Sequence, residues 1–134
     1  MIEVKIFDPL DCGDEIDHAE SVYQACGFDD ADENIEMILN SAYVGVVYLD
    51  RKPVGVGRVI SDKVRHSLIV DLNVIKEFRN KGCGKALAIA LAKHAKTPNI
   101  FLTTDPNNPT LPQFYKKSGF EFREGAHVFE WPKK

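Results

Sequence analysis

Seven consecutive residues, Arg79-Asn80-Lys81-Gly82-Cys83-Gly84-Lys85, combine two glycines with three cationic side chains. They lie between a β-branched run ending at Val74 and an alanine- and leucine-rich segment beginning at Lys85. Glycine lets main-chain N–H groups come close to an anion, and a helix start adds positive dipole at the same spot. The chemistry this suits is binding of a diphosphate. Two familiar anion loops do not fit. A P-loop needs Ser or Thr after its Gly-Lys and a glycine upstream, but Gly84-Lys85 is followed by Ala86. A dinucleotide fingerprint needs a third glycine where Leu87 stands, and it opens a first βαβ unit. This loop instead follows three strands of antiparallel type. On spacing alone, a plain strand-to-helix connection with surface bases is the alternative.

The frame that must hold this loop can be read along the chain. Residues 2–7 alternate with period two and predict a strand. Asp14 is placed to cap a helix running to about Cys26, with Ile16, Ala19, Val22 and Tyr23 at helical spacing and Gly27 as its stop. A second, acidic helix is expected over 31–40, with Ile35, Ile38 and Leu39 on one face. Tyr43 to Leu49 and Val54 to Ile60 are two strand-like runs joined by a turn at 50–53, hence a hairpin. Ser67 to Val74 reads as a central strand, and 85–96 as a helix packed closely on a sheet. A strand at 99–104, a loop at 106–109, a helix at 111–118 and final strands at 120–122 and 127–131 complete the series. One mixed α/β (α+β) domain over residues 1–134 follows, in the order β-α-α-β-β-β-α-β-α-β-β.

Composition narrows the class. A chain of 134 residues, 44% hydrophobic and 28% charged, can bury a core without staples. The net charge of −3 hides an asymmetry: residues 1–45 hold twelve acids and one base, whereas 46–134 hold eight acids and sixteen bases. A basic part attracts a polyanionic small molecule and an acidic part a cation; two solvated faces are the plainer account. No dense Lys/Arg run is interleaved with aromatics, which argues against nucleic acid. No apolar run approaches the length of a membrane span, and the start does not resemble a secretory signal. Three cysteines without CxxC spacing and four scattered histidines give neither a disulfide framework nor a metal site. The expectation is a cytoplasmic, metal-free protein.

Arg79-x-x-Gly82-x-Gly84, with Val74 five positions earlier, resembles the acetyl-CoA signature of the GNAT acetyltransferase superfamily. Phe114-Tyr115-Lys116-Lys117-Ser118-Gly119-Phe120 is similar to its second signature, an aromatic pair followed by three residues and Gly-Phe. The likeness spans about residues 41–122, and the first 40 residues share the layout alone. Lys76 departs from it, because a proline is usual there. The resemblance implies a GNAT-like domain with a central, mostly antiparallel sheet and helices on both faces. It implies acetyl-CoA as co-substrate and an amine acceptor attacking directly in a ternary complex, so that no nucleophilic side chain is needed. Homodimers are common among similar proteins.

Such a reaction needs a neutral amine, a polarised thioester carbonyl and a proton for the departing thiolate. The resemblance makes Tyr115 the general acid; a phenol of pKa about 10 can protonate a thiolate whose acid titrates near 8.5 if geometry assists. A tyrosine packed beside Phe114 and Phe120 is the structural alternative. By the same resemblance two parallel strands splay at Leu72-Asn73-Val74, and the Val74 N–H faces the thioester oxygen. Arg79, Asn80, Lys81, Gly82, Cys83, Gly84 and Lys85 would hold the diphosphate, with Asn108 and Phe114 also touching the cofactor. Asp71, in an otherwise apolar strand, is the candidate for taking the amine proton, or else a structural carboxylate. Cys83 suits either a redox-sensitive thiol or a small residue entering a helix. Arg58 and Asp62 either face the acceptor or pair on the hairpin. An N-acetyltransferase for a small primary amine is the leading reading; a non-catalytic acyl-CoA-binding sensor is the other.

Overall fold

The computed structural model describes residues 1–103, 111–123 and 130–132. Strands β1 (Ile2–Phe7), β2 (Tyr43–Leu49), β3 (Lys52–Ser61), β4 (His66–Val74) and β5 (Asn99–Phe101) form one sheet in that spatial order. Its first three pairings are antiparallel and β4–β5 is parallel. The helices are α1 (Asp14–Ala25), α2 (Ala31–Leu39), α3 (Cys83–Ala95) and α4 (Leu111–Lys117).

Strand alternation sends successive side chains to opposite faces, and each face has its own helices. On one face Val44, Val46, Tyr48 and Val56 pack with Ala19, Val22 and Tyr23 of α1 and Ile38 of α2. On the other, Val47, Val54, Val59 and Ile69 pack with Cys83, Leu87 and Leu91 of α3. Leu87 and Leu91 are fully buried, which stabilises by roughly 1.5–3 kcal/mol each. The helix lies very close to the sheet because Gly57 has no side chain. A Cβ there would sit 2.8 Å from Leu72 Cδ1 and 2.8 Å from Leu91 Cδ1.

Several boundaries differ from the sequence reading, each for a local reason. Gly13, not Asp14, occupies the N-cap of α1, and Asp14, Glu15 and Asp17 form an acidic first turn suited to the helix dipole. In α2, capped by Asp30 accepting from the Glu33 N–H at 3.1 Å, Leu39 is exposed and Asn34 is buried instead. Asn34 can be buried because its Nδ2 donates to Phe28 O at 2.7 Å. Asp50 and Arg51 both take positive φ (49° and 70°), closing a two-residue hairpin turn, so Lys52 and Pro53 already belong to β3. Helix α3 begins two residues before Lys85, which draws Cys83 and Gly84 into its first turn. β5 stops at Phe101, and 120–122 forms no strand. The segment 127–131 starts outside the described residues, as does the loop at 106–109.

Strand β4 positions the site. Val56 faces Asn73 but Arg58 faces Val70, so Asp71 and Leu72 together stand opposite Gly57 in a β-bulge. Asp71 takes a left-handed conformation there, φ 53°. On the other edge of β4, the ladder with β5 runs through His66, Ser67 and Leu68 only. Beyond Leu68 that edge has no strand partner among the described residues.

Candidate functional site

The open edge leads to Val74. Ile75 N–H donates to Val54 O at 2.8 Å, and antiparallel pairing alternates which residues bond across a ladder. Val74, one residue earlier and facing Gly55, therefore turns its N–H and C=O away from β3, toward the edge that β5 leaves free. Its carbonyl accepts from Arg79 Nε at 3.0 Å, which ties the following loop back to the strand end.

That loop descends through a 3-10 turn (Lys76–Phe78) and reverses hand at Asn80 (φ 63°) and Gly82 (φ 89°, ψ 0°). The left-handed value at Gly82 is one that a side chain resists. Gly82 O accepts from Ala86 N–H at 3.1 Å and so starts α3. The N–H groups of Cys83, Gly84 and Lys85 have no acceptor among the described residues, as expected for a helix without a side-chain cap. Three free N–H groups and a helix dipole thus converge, with the exposed Arg79, Lys81 and Lys85 around them. This arrangement suits an anion.

Two loop residues have packing roles, one of which, that of Gly84, the sequence reading did not foresee. A Cβ on Gly84 would lie 3.2 Å from Phe114 Cζ and 3.5 Å from Val74 Cγ2. The absence of a side chain at Gly84 therefore lets α4 dock against α3 as well as opening main chain to a ligand. Cys83 is 1% exposed within the α3 core, and burial pushes its thiol up despite the nearby Lys81. A thiol so placed is a packing residue and a poor nucleophile.

Tyr115 is half-buried in α4, edge-on to Phe114 (5.0 Å between centroids) and to Phe120 (5.8 Å). Loss of water around the phenol raises its pKa above 10, so it carries its proton at neutral pH. Asn108 lies outside the described residues.

The opposite face of β4 holds a different set. Arg58 Nε donates to Asp71 Oδ2 at 2.8 Å, with the two side chains 16% and 29% exposed. Beneath them Tyr23 is fully buried, and its hydroxyl has no partner among the described residues. Burial pushes the Tyr23 phenol well up, Asp71's charge adds to this, and Arg58 pulls the other way. The three residues are therefore close neighbours although they come from α1, β3 and β4. Asp71 is thus ion-paired and not isolated among apolar residues, and the choice left open for Arg58 resolves into this pair. The signal was present: alternation places Arg58 on the same inward face as Val56, where a cation requires a partner. Tyr23 gave no signal beyond its place in an apolar helical stripe. Asp62 sits apart, accepting from the N–H groups of Val64, Arg65 and His66, which pull its carboxyl down to about 2. Leu72 belongs to the α3 face beside Gly57, and Asn73 is held in the ladder opposite Val56.

Among the described residues no group of three or more His, Cys, Asp or Glu is placed to hold a metal ion. No helix of the described residues is long and apolar enough to cross a membrane.

Comparison with known proteins gives one consistent result for the fold. A GNAT family acetyltransferase from Streptococcus pneumoniae TIGR4 superposes with a TM-score of 0.79 at 20% identity, over 100% of this chain and 99% of that one. An aminoglycoside acetyltransferase from an uncultured soil metagenomic sample, solved with sisomicin, gives 0.74 at 18% identity, over 99% and 97%. The structure of AAC(6')-Iy with the bisubstrate analog CoA-S-monomethyl-acetylneamine gives 0.75 at 16% identity, over 100% and 99%. No curated protein matches by sequence. The profile of the Acetyltransferase (GNAT) family matches residues 10–120, from before α1 to the Gly-Phe that follows α4, and the chain belongs to that family.

Proposed function

We propose that the chain is an N-acetyltransferase that moves an acetyl group from acetyl-CoA to a small primary amine. The observation that carries this reading is the meeting, at the free edge of β4, of an outward Val74 N–H with the uncapped start of α3. The fit to coenzyme A rests on that geometry. The N–H groups of Cys83, Gly84 and Lys85 would take the diphosphate with Arg79, Lys81 and Lys85, and the exposed Asn80 and Gly82 shape the turn. Leu72, Asn73 and Val74 would line the thioester arm, and Phe114 would wall it at Gly84.

Bound there, acetyl-CoA supplies an acyl group activated as a thioester. The chain's own residues do the rest. Val74 N–H is aimed where the carbonyl oxygen gains negative charge, a kind of contact whose loss costs other enzymes about 2.7–4 kcal/mol of barrier. Asp71 takes the proton from the amine, directly or through water, by the oxygen that Arg58 leaves free. Tyr115, whose phenol is protonated at neutral pH, gives a proton to the departing thiolate. The excess of acids in residues 1–45, many of them on α1 and α2 beside the Asp71 face, favours a cationic acceptor. Aminoglycosides, the class for which the soil-metagenome acetyltransferase above is named, are one class of such cations.

The test is to incubate the protein with acetyl-CoA and a panel of polyamines, aromatic amines, aminoglycosides and amino acids while following free thiol. Amine-dependent thiol release is expected. Tight coenzyme A binding with no release for any amine would overturn the catalytic reading in favour of an acyl-CoA-binding module.

A further inference from the structure

We infer that Arg58 is a positioning residue for the acceptor half of the reaction, holding Asp71 on its bulge so that one carboxylate oxygen is fixed and the other is presented. This rests on the reading of Asp71 as the group that meets the amine.

The argument begins with cost. A guanidinium turned inward beside Val56 loses most of its water, and an apolar side chain of similar volume would usually serve stability as well or better. In some proteins ion pairs withdrawn from water serve geometry more than stability, and this half-buried pair is placed to do so. Here an arrangement does need holding. Asp71 is one of two residues opposite Gly57, in a left-handed conformation that L-residues avoid. Its Oδ2 is taken by Arg58 Nε, while Oδ1 accepts from no donor among the described residues. The bond fixes the carboxylate's rotation and leaves one oxygen to the solvent side.

Arg58 is itself confined. Its cross-strand neighbour is Val70, one residue from the bulge, and the phenol of Tyr23 lies within electrostatic reach of both partners. Asp71 is the one carboxylate within ion-pair distance of Arg58 among the described residues. The pair therefore bridges the two strands at the bulge, directly under α1, the helix that carries the acidic first turn. A change in Arg58 is transmitted to the amine through Asp71, while α3, whose uncapped start would take the diphosphate, packs on the other face of the sheet.

The experiment compares wild type, Arg58→Met, Arg58→Lys, Asp71→Asn and the double variant Arg58→Met/Asp71→Asn. Thermal melting first verifies that each is folded. With the amine that the panel identifies, Arg58→Met should lower kcat on the order of 10–100-fold, as expected for about an ångström of misplacement, and leave coenzyme A affinity within twofold. Arg58→Lys should recover part of the loss, and Arg58→Met should cost less than threefold once Asp71 is already Asn. Full kcat in Arg58→Met, or an undiminished penalty in the Asp71→Asn background, would overturn the inference. If wild type acetylates no amine, the proposed function fails instead, and Arg58 is judged by structure. Crystals of Arg58→Met should then show Asp71 leaving its left-handed φ or turning its carboxylate; an unmoved Asp71 would overturn the positioning role.

Discussion

Gly57 and Arg58 are adjacent in β3, and Leu72 and Asp71 are adjacent in β4, yet the two members of each pair serve opposite sides of one sheet. On the α3 side the sheet contributes by what it lacks. A missing Cβ at Gly57 lets Leu91 sink toward the strands, a missing Cβ at Gly84 seats Phe114, and a missing strand partner frees Val74. On the α1 side it contributes side chains, a guanidinium and a carboxylate joined as an ion pair. On the proposed function, main chain would meet what is common to every acetyl-CoA molecule. Side chains can be exchanged to suit one acceptor. On that proposal the difference between the sides is a division between a general site and a particular one.

Substitutions can test that division. The largest effect is expected from Tyr115→Phe, which removes the proposed acid and should lower kcat about 10²–10⁴-fold while coenzyme A binding, measured by calorimetry, stays within twofold. Unchanged turnover would leave Tyr115 a packing residue. Next is Gly57→Ala, which forces Leu72 and Leu91 off the sheet and should destabilise the fold by about 1–3 kcal/mol in urea melts. If stability is unaltered, close packing of α3 does not depend on that missing side chain.

Tyr23→Phe should act in the other direction on the α1 side. Deleting a buried hydroxyl without a described partner should gain up to about 1–3 kcal/mol with kcat within twofold, and a drop in kcat would instead place the phenol in the acceptor site. Smallest is a pH effect remote from both sides. Asp62 is held at about 2 against an ordinary 3.8, so its contribution is complete above pH 4 and fades as pH falls from there toward 2. Asp62→Ala should flatten stability against pH across that window; an identical acid profile would mean the three N–H bonds do not matter.

How far the sequence could be read follows the same division. The hairpin, the four helices and the order of elements along the chain as far as α4 were legible because they rest on local periodicity and punctuation. The turn into α3 was legible as a glycine-bearing strand-to-helix loop too, since its seven residues are consecutive. Asp71 and Arg58 each stood out singly, but their pairing above Tyr23 did not, because the three meet only after two strands and a helix have packed. The bulge was hidden for a related reason: nothing in Val70-Asp71-Leu72 announces that one residue will be left over against Gly57. Gly84 was read as room for a ligand alone, since the approach of Phe114, thirty positions later, depends on tertiary contact.

The early end of the β4–β5 ladder has a consequence for how such a protein can drift. A strand edge made of peptide groups keeps its dimensions whichever residues supply them, so long as the ladder still ends early. Sequence can then wander widely while the opening persists, in keeping with superpositions at 16–20% identity over nearly whole chains. A second chemistry can be acquired on the far face without rebuilding the first, and the bulge at Asp71 is where such a change would begin.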